Sequence, residues 1–163
     1  MSAAGRTVEQ GGRAKAYRPL PASARREALA AFLAAYDRGD AFLAHELLEP
    51  AWMGTAELPE RELYQGLIKL AAAHVHWVRG NARGVVKNLS GARAHLSLVE
   101  SAEPGGAARD GAAAATRTLR LDLPALLTAI DAELGALDGG VPLERTAPIE
   151  LPRRRRSHPD KSG

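Results

Sequence analysis

Residues 64–78, YQGLIKLAAAHVHWV, are the most apolar long stretch of the chain, and they decide its fold. One apolar stripe at helical spacing consists of Leu63, Leu67, Leu70, His74 and Trp77. A second stripe, on the opposite side of the same helix, consists of Ile68, Ala72 and Val75. Lys69 is the only formally charged residue between Tyr64 and Val78. Because a helix that is apolar on two sides must be covered on both, the stretch predicts a buried central helix over about 60–79.

Start and stop signals divide the rest of the chain into further helices. Gly39-Asp40 and Gly80-Asn81 each combine a helix-ending glycine with a residue that caps the next helix. These signals predict helices from Ser23 to about 38, over about 41–53, and over about 82–100. A later helix is predicted from a cap at 122 to about 137. Pro50 lies inside the second helix and predicts a kink or an early end near residue 49.

The pattern predicts an all-α fold: a small antiparallel bundle of three to four core helices, with one more helix after a flexible linker. Gly66 lies at the edge of the first stripe, where it would let another backbone approach closely. The domain organisation predicted from composition is a disordered tail (1–22), a helical domain (23–100), a flexible linker (101–118), an additional helix (119–137) and a disordered basic tail (138–163).

Charge and composition exclude several classes of protein. The chain has 163 residues and no cysteine, so disulfides, thiolate metal sites and a cysteine nucleophile are excluded. No apolar run approaches the roughly 18 residues that a membrane span needs, and no secretory signal is recognisable, so we predict a cytoplasmic protein without a membrane partner. The net charge is +3 over 1–22 and +4 over 153–163 but zero over 23–100. A neutral middle argues against a nucleic-acid groove in the domain itself.

The octet HELLEPAW, residues 45–52, is where polar groups interrupt an apolar helix face. His45, Glu49 and Trp52 have the spacing i, i+4, i+7 and share one face. An imidazole and a carboxylate four residues apart can reach one metal ion, and His74 is the best third ligand because it alone interrupts the leucine stripe. Glu46 and Glu62 are further candidates. The alternative is a structural pair, in which His45 bonds Glu49 or Gln65 and Trp52 only packs.

Three segments carry a resemblance to a known family. They are Phe42-x-x-His45-Glu46-x-x-Glu49-x-x-Trp52, then YQGLIKLA at 64–71, then His74 with Arg79-Gly80-Asn81-x-x-Gly84. In order and spacing they resemble the bacterial and archaeal domain-of-unknown-function family 309, whose hallmark is HxxxExx(W/Y). The resemblance covers about 24–100 and implies a small helical bundle. It implies no established activity, although metal binding by the hallmark has been suggested. The insertion at 101–118 and the arginine tail depart from the family pattern.

From these features we predict a binding or interaction module rather than an enzyme of recognisable type. Its polar pocket would be formed by His45, Glu49, Trp52, Gln65 and His74. The alternative is a metal-binding protein or metal-dependent enzyme in which His45, Glu49 and His74 hold a divalent ion. Two partners are also predicted: a second copy of the chain, through an apolar side of the central helix, and nucleic acid, through Arg153, Arg154, Arg155 and Arg156.

Overall fold

A computed structural model of the protein has five long helices among the residues that it describes. The structure describes residues 7–10, 13–16, 18–56, 58–101, 112–113, 115–117 and 119–155. The helices are α1 (Ala22–Asp37), α2 (Ala41–Met53), α3 (Leu58–Val78), α4 (Ala82–Glu100) and α5 (Leu123–Asp138). The predicted all-α bundle is therefore confirmed. No helix in the described ranges has the length and apolarity needed to cross a membrane.

The central helix is α3, as its two apolar stripes predict. It packs against α2 and against α4, while α1 packs on α2 and α5 on α4. Its fully covered side chains include Leu63, Leu67, Leu70 and Ile68. Because α2 and α4 both pack on α3, removing its apolar surface from water stabilises the bundle. Dimerisation through an apolar side of α3 stays a prediction.

The close contact between α3 and α4 depends on Gly66. A Cβ atom at this position would lie 2.6 Å from Cγ and Cδ2 of Leu96 and 3.4 Å from the carbonyl oxygen of Ala92. Carbon atoms in contact are normally about 3.5–4.0 Å apart, so a side chain at 66 would push the helices apart. The predicted close backbone approach is thus confirmed, and α4 is the helix that approaches.

The predicted capping residues are confirmed at both tight connections. Gly39 and Gly80 have φ of +82° and +69°, the left-handed conformation in which glycine has no Cβ clash. The Asp40 side chain accepts a hydrogen bond from the Leu43 backbone N–H at 3.2 Å. Asn81 accepts one from the Gly84 N–H at 3.0 Å. Local chemistry alone therefore sets where α2 and α4 begin.

Pro50 does not end α2, so of the two predicted outcomes, a kink or an early end near residue 49, the early end is wrong. The helix continues to Met53, and the Gly54 N–H donates to the Pro50 carbonyl at 2.9 Å. Proline removes one backbone donor, but the next two residues, Ala51 and Trp52, are buried in the core. The packing of these two side chains outweighs the missing hydrogen bond.

The chain after α5 differs from the predicted disordered tail as far as residue 155. A 3₁₀ turn at Leu143–Arg145 is followed by an extended segment that returns along the bundle. The Tyr36 hydroxyl donates to the Ile149 carbonyl at 2.5 Å, and Trp77 Nε1 donates to Thr146 Oγ1 at 2.9 Å. The apolar residues of this segment have no helical or strand period, so the sequence pattern gave no sign of their contacts with the bundle. Residues 156–163 lie outside the described residues.

Two further predicted regions contain secondary structure. Within the predicted N-terminal tail, strands β1 (Thr7–Gln10) and β2 (Arg13–Ala16) pair antiparallel, and α1 already begins at Ala22. Within the predicted linker, residues 112–113 and 115–117 are helical. The additional helix begins at Leu123 instead of 119, because Asp122 caps it by accepting from the Ala125 N–H at 3.1 Å. The linker residues 102–111 lie outside the described residues.

Candidate metal centre

Three potential ligands meet on the first half of α2. His45, Glu46 and Glu49 each have a ligand atom, and these atoms all lie within 4.8 Å of one another. His45 and Glu49 are half-buried and Glu46 is exposed. The helical period brings His45 and Glu49 to one face, and Glu46 reaches the same point from the adjoining side. In the described part of the chain no other such group of three is found.

The donor atoms have separations that a metal ion could bridge. His45 Nδ1 lies 3.4 Å from Glu46 Oε1. Two ligands of a tetrahedral ion with bonds of about 2.1 Å are also about 3.4 Å apart, so this pair already has the required spacing. One imidazole and two carboxylates suit Zn²⁺, Mn²⁺ or Fe²⁺ better than a soft ion. Three protein ligands would leave at least one coordination position for water or another ligand.

His74, the predicted third ligand, is not grouped with His45 and Glu49 in the structure. It lies against Tyr36, with ring centroids 5.5 Å apart in an edge-on contact. The reason is the length of the helices: α3 has 21 residues and α2 has 13. The eight additional residues of α3 correspond to about 12 Å of helix, and His74 in its last turns lies against Tyr36 near the end of α1. The third member of the group with His45 and Glu49 is Glu46.

The predicted five-residue pocket is distributed over separate environments. Trp52 is 1% exposed and belongs to the core, with the Arg61 guanidinium 5.5 Å from its ring centroid. Gln65 is buried, and its Oε1 has no hydrogen-bond partner among the described residues. His74 lines a cavity with Tyr36 and the segment 147–151, and none of the other four predicted residues lines that cavity.

Two polar clusters between helices were not predicted from the sequence. Arg25 Nε donates to Glu60 Oε1 at 2.8 Å, and the Tyr64 hydroxyl donates to the same oxygen at 2.6 Å. Burial and this hydrogen bond raise the pKa of Tyr64. Glu62, a further candidate ligand, instead pairs with Nδ1 of His95 on α4. The i, i+4 spacing of Glu60 and Tyr64 could have indicated their contact from the sequence. No sequence pattern indicates the contacts with Arg25 on α1 or with His95 on α4.

Acid should destabilise the protein through His74. Its Nδ1 is buried without a hydrogen-bond partner among the described residues, and burial lowers its pKa. A histidine whose pKa is lower in the folded state loses stability as the pH falls through its unfolded pKa of about 6.5. We expect the free energy of unfolding to fall between about pH 7.5 and about pH 5.5, and to fall less in His74→Leu. Urea unfolding at both pH values measures this, and equal falls in the two proteins would contradict it.

Comparison with known protein families identifies the central part of the chain. Residues 29–88 match the family described as Domain of unknown function (DUF309). This match confirms the resemblance seen in the three sequence segments, and it includes His45, Glu46 and Glu49. No curated protein and no solved structure matches the chain. The family description assigns no activity, so the function of the matched region is uncharacterised.

Proposed function

We propose that the DUF309 region of this chain is a metal-binding helical module, with His45, Glu46 and Glu49 holding a divalent transition-metal ion. The observation that carries the proposal is the convergence of these three ligand atoms within 4.8 Å. The predicted class, a binding module, is retained. Its predicted pocket is replaced by a site on one helix, because Trp52 is in the core and His74 packs against Tyr36.

Electrostatics favour a cation at this position. Two carboxylates close to one another repel, and a divalent cation between them lowers this repulsion. A divalent ion would compensate both and would use the neutral imidazole as a third ligand. The exposure of Glu46 means that the ion could be reached from solvent. When bound, the ion would supply a Lewis-acid centre with an open coordination position for a water molecule or for a donor group of a ligand.

The direct test is stabilisation by metal. The full chain, freed of metal with a chelator, is unfolded by urea with and without Zn²⁺, Mn²⁺, Fe²⁺ or Ni²⁺. An ion that binds only the folded state raises the free energy of unfolding by about 2.7 kcal/mol at a concentration 100 times its Kd. We expect such a gain for at least one ion, and we expect His45→Ala and Glu49→Gln to abolish it.

The matched control is His76→Ala, which removes a histidine of α3 that does not belong to the group. This variant should retain the full gain. Glu46→Gln should reduce the gain without abolishing it, because its exposed side chain is the least restrained of the three. Metal stabilisation that is absent from the wild type, or that survives His45→Ala, would overturn the proposal.

A further inference from the structure

A second candidate site is a cavity of about 440 Å³, and its lining residues lie between Val99 and Arg155 in the sequence. The cavity is bordered by the end of α4, by Ala112, Ala113, Thr116 and Arg117, by the start of α5 and by the returning C-terminal segment. Its volume is within the range of about 300–1,000 Å³ found for small-molecule sites. Four of its lining residues are arginines: Arg117, Arg120, Arg154 and Arg155.

The backbone holds two of the arginine-bearing segments side by side. The Arg154 N–H donates to the Arg120 carbonyl at 2.7 Å, and the Arg120 guanidinium donates to the Arg154 carbonyl. Leu121 and Arg153 form an antiparallel bridge next to this pair. Arg120 has φ of +53°, a conformation that residues with a Cβ atom seldom adopt. Arginines that are 34 positions apart in the sequence are therefore fixed at one place.

The positive charge of this cavity is not balanced by the protein as described. Glu100 is the only acidic residue among its lining residues. No ion pair joins any of the four arginines to a described acidic residue. Arg153, the neighbour of this group in sequence, shows the contrast, because it is paired with Asp37 at 2.8 Å. Four like charges around one cavity favour an anion that enters it.

We propose that this cavity binds a small organic phosphate with at least two negative charges, of the size of a nucleoside diphosphate. The guanidinium group matches the geometry of phosphate oxygens and forms two parallel hydrogen bonds to them. Leu121 and Leu123 add apolar lining that can contact the organic part of the ligand. The volume of the cavity favours a small ligand over a long nucleic acid, which needs an extended basic surface. Residues 23–100 have zero net charge and do not add to such a surface.

Isothermal titration calorimetry of the full chain with ADP, pyrophosphate, adenosine and a single-stranded oligonucleotide tests the proposal. ADP and pyrophosphate should bind, and adenosine should not, because it lacks the charged group. Arg117→Gln/Arg155→Gln removes two exposed side chains that make no backbone hydrogen bond in the described structure, so the fold should be kept. We expect this variant to bind ADP at least about tenfold more weakly, since charge-assisted hydrogen bonds are lost. Arg120→Gln, a second variant, should also weaken binding.

The matched control is Arg26→Gln on α1, an exposed arginine that does not line the cavity. It should bind ADP as the wild type does. The proposal is overturned if neither ADP nor pyrophosphate binds, or if the cavity variants and the control bind equally well. It is also overturned if only a single-stranded oligonucleotide binds and the double variant loses that binding, because the ligand would then be nucleic acid. This site and the metal site share no residue, so one can fail without the other.

Discussion

Replacing Trp52 by alanine is expected to lower the free energy of unfolding by about 3–5 kcal/mol, the range found when large core aromatics are truncated. The side chain is 1% exposed and is the largest that the core of the bundle covers completely. Truncation would leave a cavity between α2 and α3 and would remove the ring beneath the Arg61 guanidinium. Urea unfolding followed by far-ultraviolet circular dichroism measures the change.

The control for this prediction is Phe42→Ala, which removes an aromatic ring from the same helix. Phe42 is 61% exposed, so the change should stay within about 0.5 kcal/mol. Trp52→Ala should still bind metal in its folded fraction, because Trp52 is not one of the three grouped ligands. A loss of metal binding at full folding would show instead that Trp52 belongs to the site.

Replacing Glu60 by leucine should destabilise the protein by about 3 kcal/mol, the lower end of the range for breaking one side of a buried ion pair. The Glu60 carboxylate is 6% exposed and accepts hydrogen bonds from Arg25 and Tyr64. Without it, the Tyr64 hydroxyl loses its acceptor, and the Arg25 guanidinium keeps the Leu20 carbonyl but loses its carboxylate partner. The value lies at the lower end because the Arg25 side chain keeps 21% exposure. Chemical denaturation at neutral pH tests it.

A double variant separates the loss of the pair from the loss of packing. In Arg25→Leu/Glu60→Leu the unpaired guanidinium is absent, so the protein should regain at least about 1 kcal/mol relative to Glu60→Leu. The remaining deficit would come mainly from the Tyr64 hydroxyl, which still lacks its acceptor. A double variant that is less stable than Glu60→Leu would mean that Arg25 stabilises the fold independently of Glu60.

Local sequence features were sufficient for the helices of the bundle. The residues that cap α2, α4 and α5 are those expected, because a capping side chain bonds backbone groups only three positions away. The central position of α3 also followed from sequence, since two apolar stripes on one helix require two covering layers. The proline was the exception: its local penalty is real, but burial of Trp52 beyond it decides the outcome.

The candidate metal site could also be predicted only in part from the sequence. His45 and Glu49 share a face because of the helical period, and this holds wherever α2 lies in the fold. Whether His74 joins them depends on the position of α3 relative to α2. The spacing of residues within one helix does not determine that position. The structure brings Glu46 to the pair and places His74 beside Tyr36.

Interactions between residues close in sequence thus determine the caps of α2, α4 and α5 and the His45/Glu49 pair, whereas α1 begins after Pro21 without a side-chain cap. Only the tertiary structure decides which third ligand is near, where the segment 139–155 packs, and that Arg120 and Arg154 flank one cavity. The physical reason is the separation in sequence of the residues that interact. Helical period and capping act over three to four residues and leave a pattern in the sequence. Contacts between Tyr36 and Ile149 depend on packing that no periodic pattern records.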